Sequence, residues 1–208
     1  MTHLHATAPR QNLSQKLAGI LDWSRQSRVH RLAKSAILVL LGSLTVGVAA
    51  QISVPLLPVP VTLQSLAVML VGAALGWRLG FAALVAYLVE GAVGLPVFSP
   101  VGAPGLLRLI GPTAGFLVAM PFMAAIIGFG VRRFAQNGAR PIATFLVTSF
   151  AAMVTLIAGT VWLSHFMGAE KSIAVGFIPF ILIEICKAGL AAAIVATPHY
   201  AKKLFRAV

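Results

Sequence analysis

The sequence predicts an all-α membrane protein with six transmembrane helices and with both termini in the cytoplasm. Apolar residues make up 59% of the 208-residue chain, charged residues make up only 10%, and the mean hydropathy is +0.96. A soluble domain carries about a quarter of its residues as charges, because its surface must be solvated. The apolar residues also form long blocks, several of which are near or above the length that spans a bilayer.

Six apolar segments supply the predicted spans. They cover residues 35–50, 62–75, 79–93, 112–131, 142–162 and 179–200. Prolines separate the first two segments, and Pro179 suits the first turn of the last helix. Some segments are shorter than the roughly 20 residues that a perpendicular helix needs, so we expect flanking residues to extend them.

The positions of lysine and arginine predict the orientation of these spans. Most of these residues lie in the N-terminal segment, at Arg78, between Arg132 and Arg140, or in the tail after Tyr200. The alternate connections hold only Arg108 and Lys171. Because basic loops remain in the cytoplasm, six spans place every basic connection on the inner side.

The same pattern divides the chain into three parts. Residues 1–34 form a basic cytoplasmic or interfacial segment, in which a short amphipathic helix at the membrane surface is expected. We expect residues 35–201 to form the six-helix transmembrane domain, for which a substrate-binding role is argued from its polar residues below, and residues 202–208 to form a basic cytoplasmic tail. The basic region before the first span is long for a signal peptide, so cleavage is not expected.

Several classes of protein are excluded. The formal net charge is +12, but the basic residues form short clusters between apolar blocks, which does not favour binding of nucleic acid. Cys186 is the only cysteine, so neither an intrachain disulfide nor a cysteine-based metal site is expected. The chain has no phosphate-binding loop, no HExxH motif and no nucleophile–base set, so we expect no enzyme and no cofactor. If the protein's function depends on ATP, another chain must hydrolyse it.

Three ionisable residues fall inside apolar spans, namely Glu90, Glu184 and Lys187. A charge at the bilayer centre costs at least about 2.5–3.5 kcal/mol, so such residues face a partner or a cavity. The predicted orientation places them in the outer half of the membrane, together with Gln64, Arg108 and Thr113. This concentration of ionisable and polar residues in the outer half of the membrane predicts a pocket that opens outward and captures a small organic solute. An ion pair that only holds helices together is the alternative.

Two features refine this prediction. Glu184 and Lys187 are three residues apart on one helix face, which favours local pairing, whereas Arg108 has no local partner. Arg108 therefore either receives a ligand carboxylate or anchors the chain at the interface by snorkelling. Residues 91–113 are apolar but contain five glycines and four prolines, so they are unfit for a regular helix. We expect them to pack on protein as a lid that includes Phe98, or as an ordinary connection that caps the bundle.

Small residues four positions apart occur at Ser43 and Gly47, and again at Gly72 and Gly76. Such pairs let helices approach closely. They serve either internal packing or an interface with a partner.

Several motifs follow one another along the chain. They are QISVP at 51–55, VPVTLQ at 59–64, YL at 87–88 with Gly91, GLPVF at 94–98, GPTAGF at 111–116, and PF at 179–180 followed by Glu184 and Lys187. In this combination they resemble the BioY family, the biotin-specific S components of energy-coupling-factor (ECF) transporters. The resemblance runs from about Ser35 to Ala193. Family members typically have Asp at the position of Glu184, and the extra methylene changes the reach of the carboxylate.

The resemblance implies a six-helix S component that binds biotin with high affinity near the outer face of a bacterial inner membrane. It also implies docking to a transmembrane coupling protein (the T component) and two cytoplasmic ATPases, which we expect through small-residue faces around Ser43 and Gly47. Alternatives are an S component for another vitamin, a solitary proton-coupled transporter and a membrane scaffold that transports nothing.

The chemistry of biotin suggests roles for the candidate residues. Arg108 is expected near the ligand carboxylate, and Glu184 and Lys187 near the ureido ring. The other candidate binding residues are Gln64, Tyr87, Glu90, Phe98 and Thr113.

Overall fold

The computed structural model describes residues 13–55, 58–134 and 141–197, with side chains from residue 29 onward. Its helices are α1 (Leu13–Gln51), α2 (Gln64–Ala92), α3 (Ala114–Phe134), α4 (Pro141–Met167), α5 (Ala169–Gly176) and α6 (Ile178–Ala196). The chain divides between Ile37 and Leu38 into two compact units, of which the second contains α2 to α6.

Five helical stretches in the described residues are long and apolar enough to cross a membrane. They are Val29–Gln51, Gln64–Ala92, Ala114–Phe134, Pro141–Met167 and Ala169–Ala196, the last of which combines α5 and α6. The prediction of an all-helical membrane protein is confirmed. The prediction of six spans differs from this count because two of the predicted spans lie within α2.

The helix α1 begins at Leu13 and ends at Gln51, and the candidate span within it begins at Val29, earlier than the predicted start at Ser35. The sequence around this position has neither glycine nor proline, and Ala33, Lys34 and Ala36 are good helix formers. The change there from basic to apolar residues is a change of composition and does not end the helix. The predicted tail after residue 201 lies outside the described residues.

The helix α2 reverses direction at Gly76. This glycine has φ 76° and ψ 178°, a conformation that residues with a Cβ atom rarely adopt. A Cβ atom built on Gly80 would lie 3.2 Å from the Cα atom of Gly72, whereas eight residues along a straight helix span about 12 Å. The two halves of α2, residues 64–75 and 77–92, therefore form an antiparallel pair, close to the two separate segments that the sequence predicted.

Small residues bring α2 and α3 into close contact. A Cβ atom on Gly72 would lie 2.9 Å from the Cα atom of Ala124, and one on Gly128 would lie 2.4 Å from the carbonyl carbon of Gly76. Nη2 of Arg132 donates a hydrogen bond to the carbonyl oxygen of Leu75 (3.4 Å), so this backbone carbonyl has a hydrogen-bond partner at the reversal. The close approach predicted from Gly72 and Gly76 is confirmed, and it serves packing inside the chain.

We expect Gly128→Ala to lower the free energy of unfolding by about 1–3 kcal/mol, the ordinary cost of overpacking. The three atoms nearest to the added methyl group would be backbone atoms of α2, which cannot move aside without disturbing the reversal. Thermal unfolding of the detergent-solubilised protein measures this change. Gly189→Ala is the matched control, because the nearest atom to its new methyl group would be Cε2 of Phe145 at 3.9 Å. Equal melting temperatures for the two variants would contradict the account of this contact.

The connection between α1 and α2 contains a small antiparallel hairpin. Strand β1 (Ser53–Val54) pairs with strand β2 (Val61–Thr62), with Ser53 opposite Thr62 and Val54 opposite Val61. The sequence predicted only a proline-rich turn here. Since Pro55 and Pro60 flank the paired residues and proline cannot donate to a ladder, the strands remain very short.

The core lies between α2, α3, α4 and α6. Its largest fully buried side chains include Met69, Leu84, Tyr87, Met123 and Ile127. Many large apolar side chains on the outside are half exposed or more, as suits helices that face lipid; they include Leu44, Phe129, Ile142, Phe150 and Leu182.

Candidate binding site

A cavity lies where the β-hairpin, the start of α2, the first half of α3, the middle of α4 and the start of α6 meet. It contains about 690 Å³ of space between atoms, part of which is open to solvent. The lining residues are Val59, Pro60, Thr62, Gln64, Ser65, Ser99, Arg108, Thr113, Phe116, Leu117, Met120, Met123, Ala152, Thr155, Leu156, Phe180, Glu184 and Lys187.

One wall of the cavity carries an ion pair. The Nζ atom of Lys187 lies 2.7 Å from Oε1 of Glu184, and both side chains are largely buried. The hydroxyl of Ser65 donates to the same carboxylate oxygen (2.7 Å) and accepts a hydrogen bond from Lys187 (2.7 Å). The predicted local pairing of Glu184 and Lys187 is confirmed, and this end of the cavity has both donors and acceptors with little net charge.

A second cation, Arg108, lines the cavity from a short 3-10 helix (Gly105–Leu109) in the connection between α2 and α3. It is only 5% exposed, and its guanidinium donates to the carbonyl oxygens of Ser99 (3.2 Å) and Ala103 (3.5 Å). Within the described part of the chain, no carboxylate forms an ion pair with it. Its burial does not support the alternative of snorkelling, in which the charged group remains in water.

The environment of Arg108 is built for a buried cation. Gly102 has φ 111°, and a Cβ atom on it would lie 2.1 Å from Nη1 of Arg108, so the guanidinium occupies space that only glycine leaves free. Burial lowers the pKa of Arg108 from its ordinary value, and the nearby Tyr87 partly opposes this change. An arginine side chain stays protonated in proteins. The cavity therefore presents a positive charge that carbonyl oxygens solvate but that no described carboxylate neutralises.

Five of the eight predicted binding residues line the cavity, namely Gln64, Arg108, Thr113, Glu184 and Lys187. Gln64 is buried, and among the described residues its amide nitrogen donates to the sulfur of Met120 alone (2.9 Å), which is a weak acceptor. The amide of Gln64 is therefore available for stronger hydrogen bonds with a ligand.

The other three predicted residues lie outside the cavity lining. Tyr87 and Phe98 are both buried and contact each other edge to face, with ring centroids 5.4 Å apart. Glu90 accepts a hydrogen bond from the hydroxyl of Ser43 on α1. These contacts hold the connection and the first helix against α2, and binding roles for Tyr87, Glu90 and Phe98 stay predictions.

The connection between α2 and α3 packs on protein, as the sequence predicted. The amide of Gln51 donates to the carbonyl oxygens of Pro96 (3.2 Å) and Phe98 (3.0 Å). Ser99, Arg108 and Thr113 of this connection then reach the cavity.

Sequence reasoning missed several residues of the site. Ser65 and Thr155 lie within apolar spans, where a single hydroxyl gives no signal because it can also bond to its own helix. The apolar wall, which includes Phe116, Met120 and Leu156, cannot be distinguished in sequence from lipid-facing positions. In the searched part of the chain, no group of three histidine, cysteine or acidic residues could hold a metal ion.

The fold and the cavity define a class of protein. The protein is a helical membrane bundle with a mostly apolar cavity. The cavity has a buried cation at one position and a neutralised ion pair at another. Such a cavity is suited to binding an anionic solute with a polar head group. The sequence model of the BioY family matches residues 17–204, and the chain belongs to the BioY family. This membership confirms the predicted family, and the chain is accordingly a multi-pass membrane transporter component and not an enzyme.

Individual relatives agree with this assignment. The chain is 38% identical over 156 residues to the biotin transporter BioY2 of Lactococcus lactis subsp. cremoris, covering 74% of this chain and 84% of that protein. It is 37% identical over 159 residues to the probable biotin transporter BioY of Pyrococcus horikoshii, covering 76% and 92% respectively. The fold is similar to a crystal structure of the S-component for biotin from an ECF-type ABC transporter, with a TM-score of 0.66 and 26% identity over 82% of this chain and 91% of that chain.

Proposed function

We propose that this chain captures biotin from the outer side of the membrane, as the substrate-binding S component of an ECF-type transporter. The observation that carries this proposal is the cavity, which holds Arg108 and the Glu184–Lys187 pair within a mostly apolar wall. Biotin has a carboxylate at one end of an apolar chain and a ureido ring at the other. Relatives up to 38% identical are named as biotin transporters, which supports the same ligand.

The charges suggest which end of biotin each residue meets. Lys187 is neutralised by Glu184, so this pair offers hydrogen bonds but little net charge for an anion. Arg108 has no carboxylate partner among the described residues, and a guanidinium can bind a carboxylate through two hydrogen bonds. We therefore place the carboxylate of biotin at Arg108 and the ureido ring at Glu184 and Lys187.

We expect a thermal-shift screen of the detergent-solubilised protein to show stabilisation by biotin and not by other water-soluble vitamins. A ligand at a thousandfold excess over its Kd stabilises a protein by about 4 kcal/mol. A larger shift with another vitamin would identify an S component of different specificity. No shift with any vitamin would favour a scaffold without transport.

We also propose that the chain crosses the membrane six times, with both termini in the cytoplasm. The two halves of α2 then count as separate spans joined at Gly76. Arg78 and Arg132 lie near this reversal, and basic residues favour the cytoplasmic side. We expect green fluorescent protein to fluoresce when fused to either terminus, because it does so only in the cytoplasm. Activity of alkaline phosphatase fused to either terminus would contradict this topology.

Transport is proposed to require a T component and two ATPases. The predicted docking face on α1 surrounds Ser43 and Gly47, both of which are buried, with Ser43 bonded to Glu90 and Gly47 close to Val97. The exposed side of the same helix, with Leu40, Leu44 and Val48, remains available for docking. Biotin uptake that persists in cells lacking the coupling proteins, and that an uncoupler stops, would indicate a solitary proton-coupled transporter instead.

A further inference from the structure

We infer that Ser65 is a positioning residue, whose hydroxyl holds Lys187 and Glu184 in the orientation in which they meet the ligand ring. This inference rests on the proposed function of the cavity. Ser65 is in the first turn of α2, whereas the charged pair is on α6, and all three side chains line the cavity. The pair is thus held from a second helix.

A single placement of the protons satisfies all the hydrogen bonds around Ser65. The hydroxyl has a single proton, which it donates to Oε1 of Glu184, and it accepts a proton from Nζ of Lys187. Lys187 donates a second proton to the same Oε1 atom. Each of these three contacts measures 2.7 Å.

This arrangement determines which polar groups remain for a ligand. An ammonium has three protons, so one N–H of Lys187 remains after its bonds to Ser65 and Glu184. Both described bonds to Glu184 use Oε1, so Oε2 remains as an acceptor. One donor and one acceptor side by side complement the C=O and N–H groups of a cyclic urea. Without Ser65, the hydrogen bond that remains to the flexible Lys187 side chain within the described part of the chain is the one to Glu184 on its own helix.

A ligand pair can test this positioning. In 2-iminobiotin an imino group replaces the ureido oxygen, and when protonated it places N–H donors and positive charge where biotin presents an acceptor. A fixed Lys187 ammonium therefore favours biotin strongly over 2-iminobiotin. A Lys187 side chain that can move away should tolerate the cationic ring better.

The experiment compares Ser65→Ala with Ser65→Thr in the detergent-solubilised full chain, using calorimetry with biotin and with 2-iminobiotin at a pH where the latter is protonated. For Ser65→Ala we expect the Kd of biotin to rise about tenfold or more, as for the loss of a hydrogen bond to a charged group. We also expect the preference for biotin over 2-iminobiotin to fall. Threonine retains the hydroxyl and should keep both quantities within about threefold of the native values.

Ser164→Ala is the control, because Ser164 lies on α4 outside the cavity lining and its hydroxyl donates to the carbonyl oxygen of Val161 on the same helix. It should leave the preference unchanged. If Ser65→Ala does not fold, Ser65→Cys replaces it, since the thiol is a weak hydrogen-bonding group and should lower the preference as well.

Native affinity in Ser65→Ala, or equal losses for the two ligands, would overturn the inference, because equal losses indicate a purely structural role. A native chain that binds neither ligand would instead refute the proposed function, on which this inference depends.

Discussion

Lys187→Ala is expected to weaken biotin binding by about 30-fold or more. Removing one partner of a buried, hydrogen-bonded charge pair costs about 2–5 kcal/mol in affinity, and each 1.4 kcal/mol corresponds to a factor of ten. The variant loses the donor that faces the ligand and also leaves Glu184 without its counter-charge. Isothermal titration calorimetry on the purified protein measures the change.

Lys171→Ala is the control for Lys187→Ala. Lys171 is an exposed lysine on α5 and does not line the cavity, so its removal should leave the affinity unchanged. Unchanged binding in Lys187→Ala would remove this lysine from the site.

A double replacement distinguishes two roles of the Glu184–Lys187 pair, namely binding of the ligand and support of the structure. Glu184→Gln combined with Lys187→Met keeps similar volumes and removes both charges, and such changes to buried pairs are often neutral for stability or even stabilising. We therefore expect a folded protein that has lost its affinity for biotin. Retained affinity would instead support the alternative that the pair only holds α2 and α6 together.

Arg108→Ala is expected to produce a loss of similar size, but only for ligands that carry a carboxylate. The guanidinium is buried and has no ion-pair partner among the described residues, so a ligand carboxylate would be its only counter-charge there. The methyl ester of biotin lacks the negative charge and should bind the native protein more weakly than biotin. Arg108→Ala should reduce affinity for the ester much less than for biotin.

These four affinities form a cycle that isolates the interaction between Arg108 and the carboxylate. Arg133→Ala provides the control, because Arg133 is exposed at the far end of α3 and does not line the cavity. Equal losses for biotin and its ester in Arg108→Ala would show that this arginine supports the connection between α2 and α3 rather than the ligand.

Much of the fold follows from features that the sequence displays directly. The apolar blocks predict the helices because lipid requires every backbone group to be bonded within its own segment. The pair Glu184 and Lys187 was predictable because a spacing of three places both residues on one helix face. The end of α1 was predictable, but its beginning was not, because a change from polar to apolar composition does not itself interrupt a helix.

Only some of the residues that line the cavity could be predicted from the sequence. Burial of a charge shows that it needs a partner, but it does not show which one. Glu90 accepts a hydrogen bond from Ser43, and Tyr87 packs on Phe98 in the core, so neither of these two predicted binding residues lines the cavity. Ser65 was missed because its role depends on the approach of α2 to α6, residues that lie more than a hundred positions apart in sequence.

A crystal structure of the protein with biotin bound tests the central claim most directly. The claim is that Arg108, Glu184 and Lys187 surround one ligand. We predict a biotin molecule in the cavity, with its carboxylate at hydrogen-bonding distance, about 2.7–3.2 Å, from Arg108 and its ureido ring beside Lys187. Biotin bound elsewhere, or with its carboxylate at Lys187 and nothing at Arg108, would contradict the account.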